Sequence, residues 1–595
     1  MIDKNFSEDF CQTLVDLNYS HCFYVAGGNI MHLLNAARSN FKCIPVIHEV
    51  VAVVAAEYFN ESSDGQKAFA LVTAGPGLTN CITGIAGAWL ESRELLVIGG
   101  QVKSTDLKSE GMRQRGIQEI DGVSICAPIT KLSKRLERPI VTSELEILIR
   151  TGSENRPGPI FLEICLDAQA APSIENLDGH HGEIYELNSQ AHPSEAQMQK
   201  VEELLLSSNR PVILIGGGIS RDCFSRVLPA LEKANIPIMT TWNAVDRIDE
   251  SHHLYWGRPN TWGQRSANVL IQQADLLISI GSRLGLQQTG FNWQEFIPLG
   301  KIIQVDIDEL ELKKGHPKID LGIRCDSANF FDRFLQLTSR LDVKRFEDWL
   351  DFGKSVRGVL PLSEQCNLSV VDYINPYDFM IQLSECLPSK CVIVPCSSGG
   401  AFTTFMQAFK QKLGQKIISN KGLASMGYGL SGAIGASFAN PDHPVILIEG
   451  DGGFAQNLQE IGTLRANGTP IKIFIYDNSG YASIRMTQKN YFDGAYMGCD
   501  VQTGLGLPDW SSLFETYGIY CSMFKQEDFF SDEFYPQIID VHPRAFIVPI
   551  DPEQTYYPKI SSKVLPTGGM ISAPLHEMTP PISSEIESLV LKFLK

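Results

Sequence analysis

Short, almost wholly apolar segments alternate with longer segments of helical periodicity along most of this 595-residue chain. An apolar run without polar alternation indicates a strand buried on both faces, which is typical of a parallel sheet covered by helices. We therefore predict an α/β fold of three doubly wound parallel-sheet domains. The runs that predict strands are 68–73, 95–99, 159–164, 211–215, 276–280, 301–305, 392–394, 445–448 and 471–476.

Two stretches interrupt the alternation and divide the chain. Residues 173–199 are polar and residues 342–375 carry mixed charge, as linkers do. We expect domains over 1–172, 195–340 and 370–550. A Pro- and Gly-rich tail over 551–595 follows, and it closes with an amphipathic segment at 582–594.

Charge and composition exclude several functions. The chain has 50 basic and 68 acidic residues, a formal charge of −18 that repels phosphate backbones and anionic lipid. No apolar run approaches the length of a membrane span, and residues 1–5 lack the apolar core of a signal peptide. The 14 cysteines form no Cys-x-x-Cys pair, which favours buried thiols over disulfides or zinc. We predict a cytoplasmic protein that binds neither nucleic acid nor membrane.

The strongest chemical signal is a pair of turns, each placed directly after an apolar strand. Gly450-Asp451-Gly452-Gly453 follows one strand, and Asn478-Ser479-Gly480-Tyr481 follows the next, 27 positions later. Adjacent parallel strands bring both turns to one sheet edge, where ligands bind in doubly wound folds. A carboxylate, an amide oxygen and a main-chain carbonyl are hard donors that suit Mg²⁺, and the glycines allow phosphates to approach closely. Gly-Asp-Gly alone is a common strand-end turn; the spaced pair is much more specific.

The pair resembles the diphosphate-binding motif of thiamine diphosphate (ThDP) enzymes, and other segments extend the resemblance to the acetolactate synthase-like branch. These segments are Ala26-Gly27-Gly28, Val46-Ile47-His48-Glu49, Ala74-Gly75-Pro76-Gly77-Leu78-Thr79-Asn80, Gly100-Gln101-Val102, Gln118-Glu119, Arg156-Pro157-Gly158-Pro159 and Met426-Gly427-Tyr428-Gly429. The resemblance covers nearly the whole chain. It implies a pyrimidine-binding domain, a central domain and a diphosphate-binding domain, in that order.

The resemblance implies ThDP and Mg²⁺ as cofactors. The metal ligands would be Asp451, Asn478 and the carbonyl of Gly480, and the residues beside the coenzyme would include Gly450, Gly452, Gly453 and Ser397. Without the other motifs, each of these glycines would be read as an ordinary turn residue.

Glu49 is the catalytic glutamate that the resemblance implies. A carboxylate in a site of low dielectric, placed against N1′ of the aminopyrimidine, shares a proton there and turns the 4′-amino group into the base that removes the C2 proton. Met426 would hold ThDP bent, the Ala424 carbonyl would accept a hydrogen bond from the 4′-amino group, and Gln118 would orient the bound donor. Gly27 and Gly28 are assigned to the same catalytic region.

The central domain carries Gly-rich turns that the resemblance relates to flavin. Acetolactate synthases bind FAD, in a non-redox role, with segments corresponding to this region. The matching residues here are Gly216, Gly217, Gly281, Arg283 and Asp306, together with Arg156. Gly-rich turns are weak evidence by themselves. Relatives with the same central domain bind another nucleotide or none, so both alternatives stay open beside FAD.

Departures from the family pattern bear on the acceptor. Ala26 replaces a proline, Val50 replaces a glutamine, and Thr487 stands where acetolactate synthases have a tryptophan that restricts the acceptor pocket. Thr487 and Ile484 are therefore the candidate substrate residues. The loops at 112–119 and 281–293 look like the subgroup encoded with bacterial surface-polysaccharide genes, which includes a yersiniose-type carboligase that uses a nucleotide-linked ketosugar.

These observations predict a ThDP- and Mg²⁺-dependent carboligase. It would decarboxylate a 2-keto acid, pyruvate, and transfer the acyl unit to a carbonyl acceptor such as a nucleotide-linked ketosugar. The alternatives are acetolactate synthase proper, a ThDP-dependent C–C hydrolase or decarboxylase, and a catalytically inactive scaffold. The resemblance also implies a homodimer or homotetramer, because Glu49 and Asp451 would meet across a subunit boundary.

Overall fold

The structure, a computed structural model, describes residues 4–174, 192–368, 370, 372–396 and 399–594. Three parallel sheets lie in chain order, each with helices packed against it. Two of them have six strands and one has five. The predicted α/β fold of three doubly wound domains is confirmed.

The first sheet has the strand order β2-β1-β3-β4-β6-β5. Its strands are β1 (Tyr19–Tyr24), β2 (Lys42–Pro45), β3 (Lys67–Val72), β4 (Leu95–Gln101), β5 (Leu132–Leu136) and β6 (Pro159–Cys165). Its helices are α1 (Phe6–Asp16), α2 (Met31–Asn40), α3 (Glu49–Ser62), α4 (Pro76–Thr79), α5 (Ile82–Glu91), α6 (Gly122–Cys126), α7 (Thr142–Arg150) and α8 (Leu166–Ala170). Asn5 caps α1 in a capping box with Glu8, which fixes where that helix begins.

The second sheet has the order β11-β10-β9-β7-β8. Its strands are β7 (Pro211–Ile215), β8 (Ile238–Thr240), β9 (Leu276–Ile280), β10 (Lys301–Asp306) and β11 (Leu321–Arg324). The helices are α9 (Glu195–Ser207), α10 (Arg221–Ala234), α11 (Arg265–Gln272), α12 (Leu286–Thr289), α13 (Glu309–Lys313), α14 (Ser327–Thr338) and α15 (Glu347–Val359). Helix α15 lies within the stretch expected to be a linker, and it packs on this domain because Trp349 is buried and donates its indole N–H to the Pro211 carbonyl at 3.1 Å.

The third sheet, in the order β13-β12-β14-β15-β17-β16, repeats the connectivity of the first. Its strands are β12 (Val392–Pro395), β13 (Lys416–Ile417), β14 (Val445–Gly450), β15 (Ile471–Asp477), β16 (Tyr520–Met523) and β17 (Arg544–Pro549). The helices are α16 (Pro376–Cys386), α17 (Gly400–Ala408), α18 (Tyr428–Ala439), α19 (Asp451–Phe454), α20 (Ile461–Asn467), α21 (Ala482–Tyr491), α22 (Trp510–Thr516) and α23 (Phe534–Ile539). The tail adds an antiparallel pair, β18 (Ser562–Val564) and β19 (Met570–Ser572), and α24 (Ser584–Val590).

Helices α3 and α18 pack against each other and join the first domain to the third in one apolar core. Buried polar groups reinforce this junction: Arg93 pairs with Glu57 at 2.7 Å, and the Tyr428 hydroxyl donates to the same carboxylate at 2.8 Å. The central domain joins through Arg221, which pairs with Glu61 at 3.3 Å. The exact domain boundaries stay predictions; the three sheets are held as one body by these contacts.

Candidate functional site

Two loops meet at the carboxyl edge of the third sheet. Strands β14 and β15 pair in parallel with Gly450 opposite Tyr476, which places the residues after each strand side by side. Asp451 begins α19 and is 1% exposed. Its carboxylate accepts hydrogen bonds from the backbone N–H groups of Gly452 at 2.6 Å, Asn478 at 3.2 Å and Gly480 at 2.8 Å. The side-by-side placement that the 27-residue spacing predicted is therefore present.

Three oxygen atoms converge between these loops. The side-chain oxygen of Asn478 lies 2.8 Å from the carbonyl oxygen of Gly480 and 3.2 Å from Oδ1 of Asp451. Such acceptors repel one another unless a cation lies among them or the amide turns by 180° to donate to both. Oxygens around octahedral Mg²⁺ lie about 2.9 Å apart, since each is about 2.0–2.1 Å from the ion. The donor set and its spacing fit a magnesium ion.

The raised pKa of Asp451 also favours a cation at this loop. Burial raises the pKa of the Asp451 carboxyl from 3.8 to about 7, against the lowering effect of the Gly480 N–H. The negative charge of Asp477 adds to the increase. A divalent cation favours the carboxylate over the protonated acid, so binding and charge at Asp451 are linked.

Glu49 is the first residue of α3, and one of its carboxylate oxygens accepts a hydrogen bond from the Asn80 side chain at 2.9 Å. Asn80 closes the Ala74–Asn80 motif but was given no role from sequence, because nothing local in the motif shows that it reaches Glu49. Within the described part of the chain, no hydrogen bond joins Glu49 to the Asp451 or Asn478 loops.

The turn before α18 carries the two residues assigned to the thiamine. Ala424 and Gly427 have φ angles of +55° and +76°, so the turn takes a left-handed path into the helix. Asn457 donates to the Gly427 carbonyl at 2.8 Å, and Gln456 donates to the Met426 sulfur at 3.7 Å. Both donors lie in the 3₁₀ segment Ala455–Glu460, which continues directly from α19. The Ala424–Gly427 turn and the Asp451 loop are therefore held by one continuous piece of chain.

Gln118 lies against the glycine motifs of the first domain. A Cβ atom on Gly75 would meet the Gln118 carbonyl oxygen at 2.4 Å, and one on Gly27 would meet the Thr73 side chain at 2.4 Å. These close approaches bring Gly27, Gly75 and Gln118 to the carboxyl edge of the first sheet. Gly28 begins the 3₁₀ segment beside them, with open space where a side chain would be.

Thr487 and Ile484 lie on α21, the helix that follows the Asn478–Gly480 loop. Ile484 is 48% exposed, and the Thr487 hydroxyl donates back to the Ser483 carbonyl at 2.9 Å. The Thr487 hydroxyl is therefore bonded within its own helix. Ser397, also assigned to the coenzyme, lies outside the described residues.

A second site lies at the carboxyl edge of the central sheet. It is a cavity of about 1660 Å³ whose lining includes Gly217, Gly281, Arg283, Asp306 and, from the first domain, Arg156. The cavity is glycine-lined because the β7 and β9 turns touch there: a Cβ on Gly216 would meet the Gly281 carbonyl oxygen at 2.1 Å.

Arg156, at the wall of this cavity, forms ion pairs that join the first domain to the central domain. Its guanidinium lies 2.7 Å from Asp308 and 3.1 Å from Glu311, and donates to Ser92 at 2.8 Å. The size of the cavity and its glycine-lined turns suit a dinucleotide. The guanidinium of Arg156, assigned to flavin binding from sequence, is already paired with two carboxylates. Burial raises the pKa of Asp306, which lines the cavity.

One negative finding concerns membranes. In the part of the chain that the structure describes, no helix combines the length and the apolar character needed to cross a bilayer.

Comparison with known proteins agrees with the three-domain division. Residues 4–125 match the N-terminal TPP (thiamine pyrophosphate) binding domain of thiamine pyrophosphate enzymes, residues 198–334 the central domain, and residues 398–538 the C-terminal TPP binding domain. Thiamine pyrophosphate is another name for ThDP.

Individual relatives align along most of the chain. The acetolactate synthase large subunit of Lactococcus lactis is 31% identical over 526 residues, 85% of this chain and 86% of the relative. The probable acetolactate synthase large subunit of Methanocaldococcus jannaschii is 29% identical, covering 88% and 87%. Acetolactate synthase isozyme 1 large subunit of Escherichia coli is 28% identical, covering 90% and 92%. The chain therefore belongs to the ThDP-dependent enzymes, in their acetolactate synthase-like branch.

Proposed function

We propose that this enzyme is a pyruvate carboligase that uses ThDP and Mg²⁺ and transfers the acyl unit to a carbonyl acceptor. The observation that carries the proposal is the convergence of Asp451, Asn478 and Gly480 oxygens at a spacing suited to Mg²⁺. Relatives named acetolactate synthase support pyruvate as the donor. The retention of a cation site and of Glu49 argues against a scaffold, which needs neither.

The protein's own groups would bind and orient the coenzyme. When bound, ThDP supplies a nucleophilic carbon and an electron sink for decarboxylation. Asp451, Asn478 and Gly480 would hold Mg²⁺, which would offset the negative charge of the diphosphate, and Gly450, Gly452 and Gly453 would let the backbone lie close to it. The main-chain N–H groups already bonded to Asp451 fix its carboxylate before any ligand arrives.

Proton transfer falls to the first domain. Glu49 would exchange a proton with N1′ of the pyrimidine, and Asn80 holds the Glu49 carboxylate in place for that exchange. The Ala424 carbonyl would accept a hydrogen bond from the 4′-amino group, and Met426 would support the coenzyme from the turn that Asn457 fixes. Gln118, held against Gly75, orients the bound donor.

The acceptor we propose is a nucleotide-linked ketosugar. Thr487 presents a small side chain where a tryptophan restricts the pocket of acetolactate synthases, and its hydroxyl is already bonded to Ser483. A small keto acid would underfill that space and leave water beside the reacting carbon. A sugar would fill it, and its remote groups would orient the carbonyl. Acetolactate synthase activity is the second candidate, favoured by the relatives' names.

Two further features belong to the proposal. FAD, in a non-redox role, would occupy the central cavity, where Gly217, Gly281 and Arg283 lie. A homodimer, or a tetramer of dimers, would complete each active site, since the family resemblance implies that the domains of Glu49 and Asp451 meet across a subunit boundary. An active monomer in light scattering would refute the dimer.

One experiment tests the proposal directly. The purified protein is given pyruvate, ThDP and Mg²⁺ with a panel of acceptors, CO₂ release is followed, and products are identified by mass spectrometry. We expect coenzyme-dependent CO₂ release and an acetyl-branched sugar as the main product. Acetolactate as the main product in the presence of ketosugar would favour the second candidate, and acetaldehyde or simple cleavage would indicate a decarboxylase or hydrolase.

A further inference from the structure

Glu460 lies at the end of the 3₁₀ segment Ala455–Glu460, where it meets the first domain. The segment continues from α19, which begins at Asp451, and passes directly into α20. The Glu460 side chain is fully buried. A buried carboxylate needs hydrogen-bond donors, and this one receives them from a distant part of the chain.

Two of the donors are the backbone N–H groups just before Glu49. One oxygen of Glu460 accepts from Ile47 at 3.0 Å and from His48 at 3.1 Å, across 413 and 412 positions of sequence. The other oxygen accepts from the Thr463 hydroxyl at 2.6 Å. All three contacts have good hydrogen-bond lengths.

The start of α3 depends on this carboxylate. His48 is the N-cap residue of α3, and its own side chain makes no capping hydrogen bond. The N–H groups at and before a helix start need outside partners, and a negative charge there also suits the helix dipole. Glu460 supplies both the acceptor and the charge from the third domain.

We propose that Glu460 is a positioning residue for Glu49, an inference that rests on the catalytic role proposed for Glu49. Two anchors define the position of the Glu49 carboxylate: Glu460 fixes the backbone immediately before it, and Asn80 fixes the carboxylate itself. Because a catalytic base must meet its proton within hydrogen-bond reach, a backbone shift of a fraction of an ångström at residue 48 impairs proton transfer.

The same segment also serves the coenzyme turn. Asn457 and Gln456 hold the Ala424–Gly427 turn, and Glu460 holds the Glu49 turn, three to four residues farther along. A single segment of the chain thus contacts the coenzyme turn, continues from the Asp451 loop and holds the backbone before Glu49; in the proposed dimer it would link the parts that one chain gives to two active sites.

The test compares two substitutions of nearly equal size. Glu460→Met keeps the volume and removes the acceptor, whereas Glu460→Gln keeps an amide oxygen that accepts from Ile47 and His48. Thr463→Val is the matched control, since it removes only the partner of the other oxygen. The readouts are hydrogen exchange of the Ile47 and His48 amides in the coenzyme-free protein, C2 deuterium exchange of bound ThDP, and ThDP–Mg²⁺ affinity by calorimetry.

We expect Glu460→Met to speed exchange of both amides at least about tenfold and to slow C2 exchange about tenfold or more, with ThDP affinity within about threefold of wild type. In Glu460→Gln and in Thr463→Val we expect the rates of amide exchange and of C2 exchange to stay close to those of the wild type. Normal C2 exchange in Glu460→Met overturns the proposal, as does a Glu460→Gln protein that is equally slow. If Glu460→Met does not fold, Glu460→Asp, whose shorter chain withdraws the acceptor, takes its place with the same criteria. If the wild type shows no C2 exchange, the proposed function is refuted instead. If the Ile47 and His48 amides exchange as slowly in Glu460→Met as in the wild type, the proposal that Glu460 holds this backbone is overturned.

Discussion

The crossing of α3 and α18 predicts that Gly435 tolerates no side chain. A Cβ atom there would lie 1.9 Å from the carbonyl oxygen of Ala55 and 2.6 Å from its carbon, both backbone atoms of α3. Gly432, one turn earlier, faces the Tyr58 ring at 2.5 Å in the same way. Because backbone cannot rotate aside, Gly435→Ala forces the helices apart by about 1 Å.

The size of the effect follows from what the crossing buries. Separating two fully buried helices loses dispersion contacts along the crossing, and overpacking of this kind costs about 1–3 kcal/mol or more. The better helix propensity of alanine returns about 1 kcal/mol. We expect a net destabilisation of about 1–2 kcal/mol, which lowers the thermal midpoint by about 2–8 °C for a domain of this size.

Activity should fall more steeply than stability. Helix α3 begins at Glu49 and α18 follows the Ala424–Gly427 turn, so a shift of about 1 Å between them displaces both, at a cost of about 100-fold in kcat/KM. The control is Gly358→Ala in α15, where no atom lies within 4 Å of the new Cβ; it should be neutral or stabilise by up to about 1 kcal/mol. Differential scanning calorimetry of the two coenzyme-free variants measures their stability, and steady-state kinetics measures kcat/KM. A Gly435→Ala protein as stable as wild type would refute the close crossing.

Three further predictions concern the ligands. Asp451→Ala should abolish Mg²⁺-dependent ThDP retention in calorimetry. In the wild type, protonation of Asp451, whose pKa is about 7, removes its charge, so Mg²⁺ affinity should fall about fivefold from pH 7 to pH 6, and a flat profile would contradict the site. Thr487→Trp should lower the ratio of kcat/KM for a nucleotide-4-ketosugar over pyruvate as acceptor, and a wild type that prefers pyruvate would end the ketosugar proposal. Calorimetry should find one FAD bound per chain and none in Gly217→Phe, whose ring would enter the cavity; binding of a different nucleotide in its place would contradict the flavin assignment.

The core strands could be predicted from sequence, whereas several edge strands could not. All nine apolar runs became strands within one or two residues of their predicted ends, because burial on both faces leaves an unbroken apolar signal. Strand β5 carries Ser133, Lys134 and Arg135 at a sheet edge, and β13 has two residues, so neither shows that signal. Helix α15 was hidden by its charged outer face.

The site divides in the same way. The positions of Asp451 and Asn478 could be inferred because sheet topology converts a sequence spacing into proximity. The partners of Glu49 could not: Asn80 is reached across a loop, and Glu460 acts on its backbone from the third domain. Such contacts depend on how whole domains pack, and the local sequence carries no trace of them.

The most direct test of the account is C2 proton exchange of bound ThDP in Glu49→Gln and in the wild type, followed by deuterium incorporation after an acid quench. Glutamine keeps the size of Glu49 and the contact with Asn80 but cannot exchange a proton with N1′. We predict unchanged ThDP–Mg²⁺ affinity and an exchange rate slower by about a thousandfold or more. Exchange at the wild-type rate in the variant would contradict the role of Glu49 and, with it, the catalytic site described.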